Sequence, residues 1–169
     1  MSNSSKIFLV GMPGSGKSTF GKKLAEKLNR NFFDLDVEIE RMAGWVIPDI
    51  FAQVGENYFR ELEQSVLLML IKLNEPSVIA TGGGAPCFFD NMDQMNKAGV
   101  SIFLDTPLDT IVERVKEAKS TRPLVNQMAD GTIASDMQAL YAKRLPHYKK
   151  ASFTTNSNLE DIILFLEAL

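Results

Sequence analysis

The sequence predicts an α/β fold with a parallel sheet covered by helices on both faces. Three observations predict it. Short apolar runs alternate with longer helical patterns along all 169 residues. The first run ends in a glycine-rich turn that leads directly into a helix. No repeat, low-complexity stretch or Pro/Ser-rich linker interrupts the alternation, so residues 1–169 are expected to form a single domain.

Ile7–Val10 is an apolar run ending at Gly11, a buried strand. Phe20, Leu24, Ala25 and Leu28 share one helical face over Ser18–Leu28. Asn31–Leu35 is the second strand. Phe59, Leu62, Val66, Met69, Leu70 and Leu73 predict a long amphipathic helix over about Asn57–Leu73. Ser77–Ala80 is the third strand, followed by Thr81 and the triplet Gly82-Gly83-Gly84. A short helix over Asn91–Lys97 leads to a fourth strand, Val100–Leu104, and then to a helix over Leu108–Ala118. Lys119–Ala129 fits neither period and reads as a long functional loop. Helix Asp130–Arg144, a weak fifth strand Ala151–Thr155 and helix Leu159–Leu169 complete the chain.

Composition narrows the function classes. A net charge of −3 argues against a general nucleic-acid or membrane-surface binder, which relies on massed positive charge. Single copies of cysteine (Cys87) and histidine (His147) exclude an internal disulfide and ordinary zinc sites. The N-terminal apolar run is too short for a signal-peptide core, and no run approaches a membrane span. A cytoplasmic protein is expected.

The strongest motif is Gly11-Met12-Pro13-Gly14-Ser15-Gly16-Lys17-Ser18, continued by Thr19. It matches G-x-x-x-x-G-K-[ST] between a strand and a helix. Its glycines let successive N–H groups turn inward as an anion nest, and the helix N-terminus adds to that field. Lys17 brings a charge to the outer phosphates, and Ser18 offers a hydroxyl to Mg²⁺. A GTPase is excluded: no Asp has Gly three positions on, and Asn96-Lys97 is followed by Ala98-Gly99 rather than the guanine-reading aspartate. A small-molecule or nucleotide kinase remains.

Further candidates follow in order. Asp34 and Asp36, read on an extended strand end, point the same way. Arg60 near the start of the long helix opposes the helix dipole and hints at an anionic partner. Gly82–Gly84 exposes N–H groups. Arg122, in Thr121-Arg122-Pro123-Leu124, is placed to swing onto a transferring phosphoryl group. Arg144 ends a helix, where a cation is favoured for structural reasons alone. Asp105, ending an apolar strand, imitates a Walker B acid but is ranked as structural, and His147 is given a helix-end role.

These residues together resemble the shikimate kinase family. The marks are the cradle at 11–19, Asp34-Leu35-Asp36, Ile50-Phe51, Gly55-Glu56, Phe59-Arg60 with Glu63, the glycine triplet, Arg122-Pro123-Leu124, and Arg144-Leu145-Pro146 with Tyr148. Their order and spacing are specific; any one beyond the cradle is weak. The resemblance implies a three-layer P-loop kinase fold with strand order 2-3-1-4-5, a substrate-binding region at about 34–63 and a lid at about 119–130. It implies transfer of the γ-phosphoryl of ATP to the 3-hydroxyl of shikimate, with Mg²⁺. The sequence carries no obvious interface signal, so a monomer is expected. Lys17, Asp36 and Arg122 would be catalytic. Gly14, Ser15, Gly16, Lys17, Ser18, Thr19, Arg114 and Arg122 would bind ATP. Asp36, Phe51, Phe59, Arg60, Gly82, Gly83, Gly84 and Arg144 would bind shikimate. Ser18 and Asp34 would serve the metal. The pattern thins at Ala151–Asn158, which lacks the arginine family members often carry near adenine. Gluconate kinases, whose substrate also carries a carboxylate and hydroxyls, are the nearest competitor.

Overall fold

The computed structural model describes residues 6–117 and 131–169. In chain order the elements are β1 (Lys6–Val10), α1 (Lys17–Lys27), β2 (Asn31–Asp34), α2 (Leu35–Ala43), α3 (Ile47–Lys72), β3 (Ser77–Ala80), a 3₁₀ turn (Ala85–Cys87), α4 (Asn91–Ala98), β4 (Val100–Leu104), α5 (Leu108–Glu117), α6 (Ile133–Tyr148), β5 (Phe153–Thr155) and α7 (Leu159–Glu167). The strands form one sheet in the order β2-β3-β1-β4-β5, and every pairing is parallel.

The pleat explains the layering. Along β1, Ile7 and Leu9 enter one buried cluster with Leu24 and Ala25 of α1 and Ile162 of α7. Phe8 and Val10 enter the other, with residues of α2, α3, α4, α5 and α6. The three central strands are buried throughout, which is why they read as continuous apolar runs rather than alternating ones. β1 lies between β3 and β4, so the loop after β1 leaves the sheet where its winding reverses. Open α/β sheets bind ligands at such points.

Four expectations need correction. β2 stops at Asp34, and Leu35–Ala43 is a helix. Asp34 caps it: its carboxylate accepts from the Asp36 backbone N–H at 3.1 Å. Asp34 and Asp36 therefore do not share an extended strand. Second, α3 begins ten residues before the expected Asn57, with Pro48 in its first turn, and is broken at Gly55 (φ 84°, ψ 174°). Arg60 thus lies near the start of the second segment only. Third, α6 runs past Arg144 to Tyr148 and carries Pro146 inside its last turns, so Arg144 does not end the helix. Fourth, β5 is only Phe153–Thr155, because residues 151–152 form a bend before it. The expected loop and lid at 119–130, with Arg122, lie outside the described residues. So do Ala118 and Asp130, the expected ends of two helices.

Candidate functional site

The cradle follows β1 as predicted. Gly14 and Gly16 hold φ of 82° and 92°, a left-handed backbone that non-glycine residues rarely adopt. Gly16 is also the N-cap of α1, which aims the helix's free N–H groups at the turn. Side chains from the loop after β4 and from α5 brace the turn from outside. Thr106 Oγ1 donates to the Ser15 carbonyl at 2.9 Å, and Arg114 Nη1 donates to the Gly14 carbonyl at 3.1 Å. Lys17 Nζ donates to the Gly11 and Met12 carbonyls, each at 2.8 Å. Ser18 Oγ donates to Asp34 Oδ2, joining the first turn of α1 to the end of β2.

One cleft of about 740 Å³ runs from this cradle to α3 and α6. Its lining contains every described candidate: Gly14, Ser15, Gly16, Lys17, Ser18, Thr19, Asp34, Asp36, Phe51, Phe59, Arg60, Gly82, Gly83, Gly84, Arg114 and Arg144. Asp34 and Asp36 both reach it despite the misread strand, because the helix they start opens at the cleft edge. Phe51 and Phe59, from either side of the Gly55 break, pack with ring centroids 4.7 Å apart on one wall. Asp105 and His147 do not line the cleft. Asp105 instead accepts from Tyr141 Oη at 2.9 Å, and burial together with that carboxylate raises the phenol to about 12.

At the far end two guanidinium groups meet the glycine triplet. Arg60 and Arg144 are each only 5% exposed. A Cβ on Gly84 would lie 2.7 Å from Arg60 Nη1, and one on Gly83 would lie 3.0 Å from Arg144 Nη1. A Cβ on Gly82 would lie 2.8 Å from Glu63 Oε1 and 3.0 Å from Asp36 Oδ1. The triplet is needed because four charged side chains and the Pro13 ring press against its backbone. Tyr148, fully buried, donates its hydroxyl to the Gly83 carbonyl at 2.6 Å and fixes that loop. Burial raises its pKa far enough that the donor proton stays in place.

Gly84→Ala is accordingly expected to leave folding intact, since the clash falls on the end of a flexible side chain. It should displace Arg60 and raise the KM of the anionic substrate about tenfold, roughly the loss of one charged hydrogen bond. Initial-rate kinetics beside a thermal melt check this. A wild-type KM would mean that Arg60 can move without consequence.

Sequence reasoning quotes Glu63 among the family marks but assigns it no role in the site. Its signal was present: it stands three residues after Arg60, where helical neighbours meet. Oε2 accepts from Arg60 Nη1 at 2.8 Å, while Oε1 is buried without a partner among the described residues. Burial pushes the carboxyl up to about 7, Arg60 pulls it down, and Asp36 raises it. Between the ordinary 4.5 and about 7, the folded chain holds a proton that the unfolded chain releases. Stability therefore falls as pH rises through that window, by about 3 kcal/mol when complete. Melting temperatures from pH 4.5 to 8 should decline in the wild type and decline less in Glu63→Gln. Parallel declines in the two proteins would assign the effect to another group.

A phosphate cradle at the switch point of a five-stranded parallel sheet, opening into a cleft whose far end carries two buried guanidinium groups, defines a P-loop kinase of small molecules. A shikimate kinase family model matches residues 13–163. The shikimate kinase of Azobacteroides pseudotrichonymphae genomovar. CFP2 is 41% identical over 161 residues, covering 94% of this chain and 95% of the relative. The crystal structure of shikimate kinase from Bacteroides thetaiotaomicron superposes with a TM-score of 0.86 at 37% identity, covering 96% of both chains. The Acinetobacter baumannii enzyme in complex with shikimate gives 0.88 at 34% identity, covering 96% of this chain and 93% of that one. The chain belongs to the shikimate kinase family.

Proposed function

We propose that the chain transfers the γ-phosphoryl group of ATP to the 3-hydroxyl of shikimate, giving shikimate 3-phosphate and ADP. One observation carries the reading. Arg60 and Arg144, both buried, converge on consecutive glycines in the cleft that holds the phosphate cradle. Two forked cations there suit a carboxylate bound in the plane of the fork.

In this reading the N–H groups of residues 14–19 and Lys17 hold the phosphates, with Arg114 bracing the turn beside them. Arg60, Arg144 and the Gly82–Gly84 backbone hold shikimate, with Phe51 and Phe59 against its ring. Residues 34–63 form the substrate-binding region. Asp36 orients the acceptor hydroxyl and accepts its proton. Phosphoryl transfer through a loose transition state asks mainly for such positioning and for charge stabilisation. Arg122, in the segment 119–130 expected to be a lid, would supply a further positive charge to the transferring group. The Ser18–Asp34 pair suits Mg²⁺, a hard cation that takes few protein oxygens and completes its shell with phosphate and water. Held by these two oxygens, Mg²⁺ would supply positive charge to the phosphates. Among the described residues no helix is long and apolar enough to cross a membrane. The reading extends to a monomeric cytoplasmic enzyme, supported by an ATP-dependent chemistry on a small free acid.

A coupled assay of ADP release with shikimate, gluconate or no acceptor tests the function. Turnover with shikimate is expected. Turnover with gluconate alone would assign the carboxylate pocket to another hydroxy acid.

A further inference from the structure

The Arg60 guanidinium is held in its plane by two carboxylates of its own helix. Glu63 Oε2 takes Nη1 at 2.8 Å, and Glu56 Oε1 takes Nε and Nη2 at 3.2 and 3.1 Å. In-plane pairing uses the donors that a ligand carboxylate needs, and half-exposed Glu56 would have to yield to one. A contact on the flat face makes no such demand. The Phe88 ring supplies it: Arg60 Cζ stands 4.2 Å from its centroid, nearer than the 5.0 Å to Phe59. Phe88 is half-buried and does not line the cleft. It follows the 3₁₀ turn Ala85–Cys87, which comes directly after the glycine triplet and packs against α3.

We infer that Phe88 is a positioning residue for substrate recognition: its ring stacks on the Arg60 guanidinium and orients the fork toward the substrate carboxylate without consuming a donor. A desolvated guanidinium gains most from such a face contact. Arginine stacks in this way and lysine does not, so the ring also favours arginine at position 60. The inference rests on the proposed carboxylate role of Arg60, and the experiment separates the two.

Phe88→Leu keeps apolar volume and removes the π face; Phe88→Tyr keeps the face. Initial rates with ATP and shikimate are measured for both, for Arg60→Lys and for the wild type, beside the Arg60 Nε–H resonance by NMR. Expected are a shikimate KM raised about fivefold to tenfold in Phe88→Leu, an unchanged ATP KM, and recovery in Phe88→Tyr. The Arg60 resonance should lose its ring-current shift in Phe88→Leu and keep it in Phe88→Tyr. A wild-type shikimate KM in Phe88→Leu, an equal rise in ATP KM, or an unmoved Arg60 resonance would each overturn the inference. If Arg60→Lys leaves the shikimate KM unaltered, the carboxylate role of Arg60 fails instead, whatever the resonance shows.

Discussion

Lys17→Ala should lower kcat by a factor of about 10² to 10³ while changing the Kd of ATP much less. That range is the cost of deleting one preorganised charge donor aimed at a developing anion. The structure gives the reason for the asymmetry. Lys17 is buried under the cradle, and its ammonium lies against the Gly11 and Met12 carbonyls. The cradle's own N–H groups, the α1 N-terminus and the braces from Thr106 and Arg114 do not depend on it. Ground-state phosphate binding therefore keeps most of its donors, while the transferring phosphoryl loses the positive point charge among them. Nucleotide titration by calorimetry and single-turnover kinetics together measure the split. A variant that binds ATP a hundredfold more weakly but turns over normally at saturation would make Lys17 a binding residue only.

The legible parts of this fold were those in which one residue type has one physical use. Gly11–Thr19 was legible because an anion nest needs glycine at fixed spacing and a cation at its end. The central strands were legible because burial on both faces leaves unbroken apolar runs at Ile7–Val10, Ser77–Ala80 and Val100–Leu104. The order 2-3-1-4-5 was not contained in any local pattern; it came with the family resemblance. Helix α2 was hidden because Asp34 serves two purposes. Its carboxylate is an N-cap for Asp36 and a hydrogen-bond acceptor for Ser18, and the second use made the first look like a strand-end acid. The Leu35 and Ile39 pair, four residues apart and both fully buried, was the available helix signal. The early start of α3 was concealed by Gly55, whose positive φ breaks the helix where the sequence seemed to begin it.

The site was less legible where contacts are made across distant segments. Arg144 was read as a helix-end cation of low functional weight taken alone. The structure instead buries it four residues before Tyr148, with both side chains on Gly83. Phe88 had no signal at all, since the sequence does not say that the turn after the triplet brings a ring onto Arg60. The glycine triplet was read as exposed N–H groups. The tighter constraint is space for Asp36, Arg60, Glu63 and Arg144, none of which neighbours it in sequence.

Arg144→Met should raise the shikimate KM by about 10² while leaving ATP affinity unchanged, the scale for losing one buried charged partner of a ligand. The methionine keeps an apolar stem of similar length, so loss of packing is kept small. Stability should move the other way. Among the described residues Nη1 of Arg144 is buried without a hydrogen-bond partner, and a buried charge that lacks full pairing carries a desolvation cost. Removing it is therefore expected to leave the melting temperature unchanged or raise it. Arg144→Ala should show the same kinetic loss with a lower melting temperature, because it also removes the buried apolar stem. Arg144→Lys should recover little, since a single ammonium cannot present the fork. The opposed signs make the test sharp. Loss of shikimate affinity together with gained stability means that Arg144 is kept buried for its ligand rather than for the fold. A matching loss of ATP affinity would place it on the nucleotide side of the cleft, and a large drop in the melting temperature of Arg144→Met would make it structural.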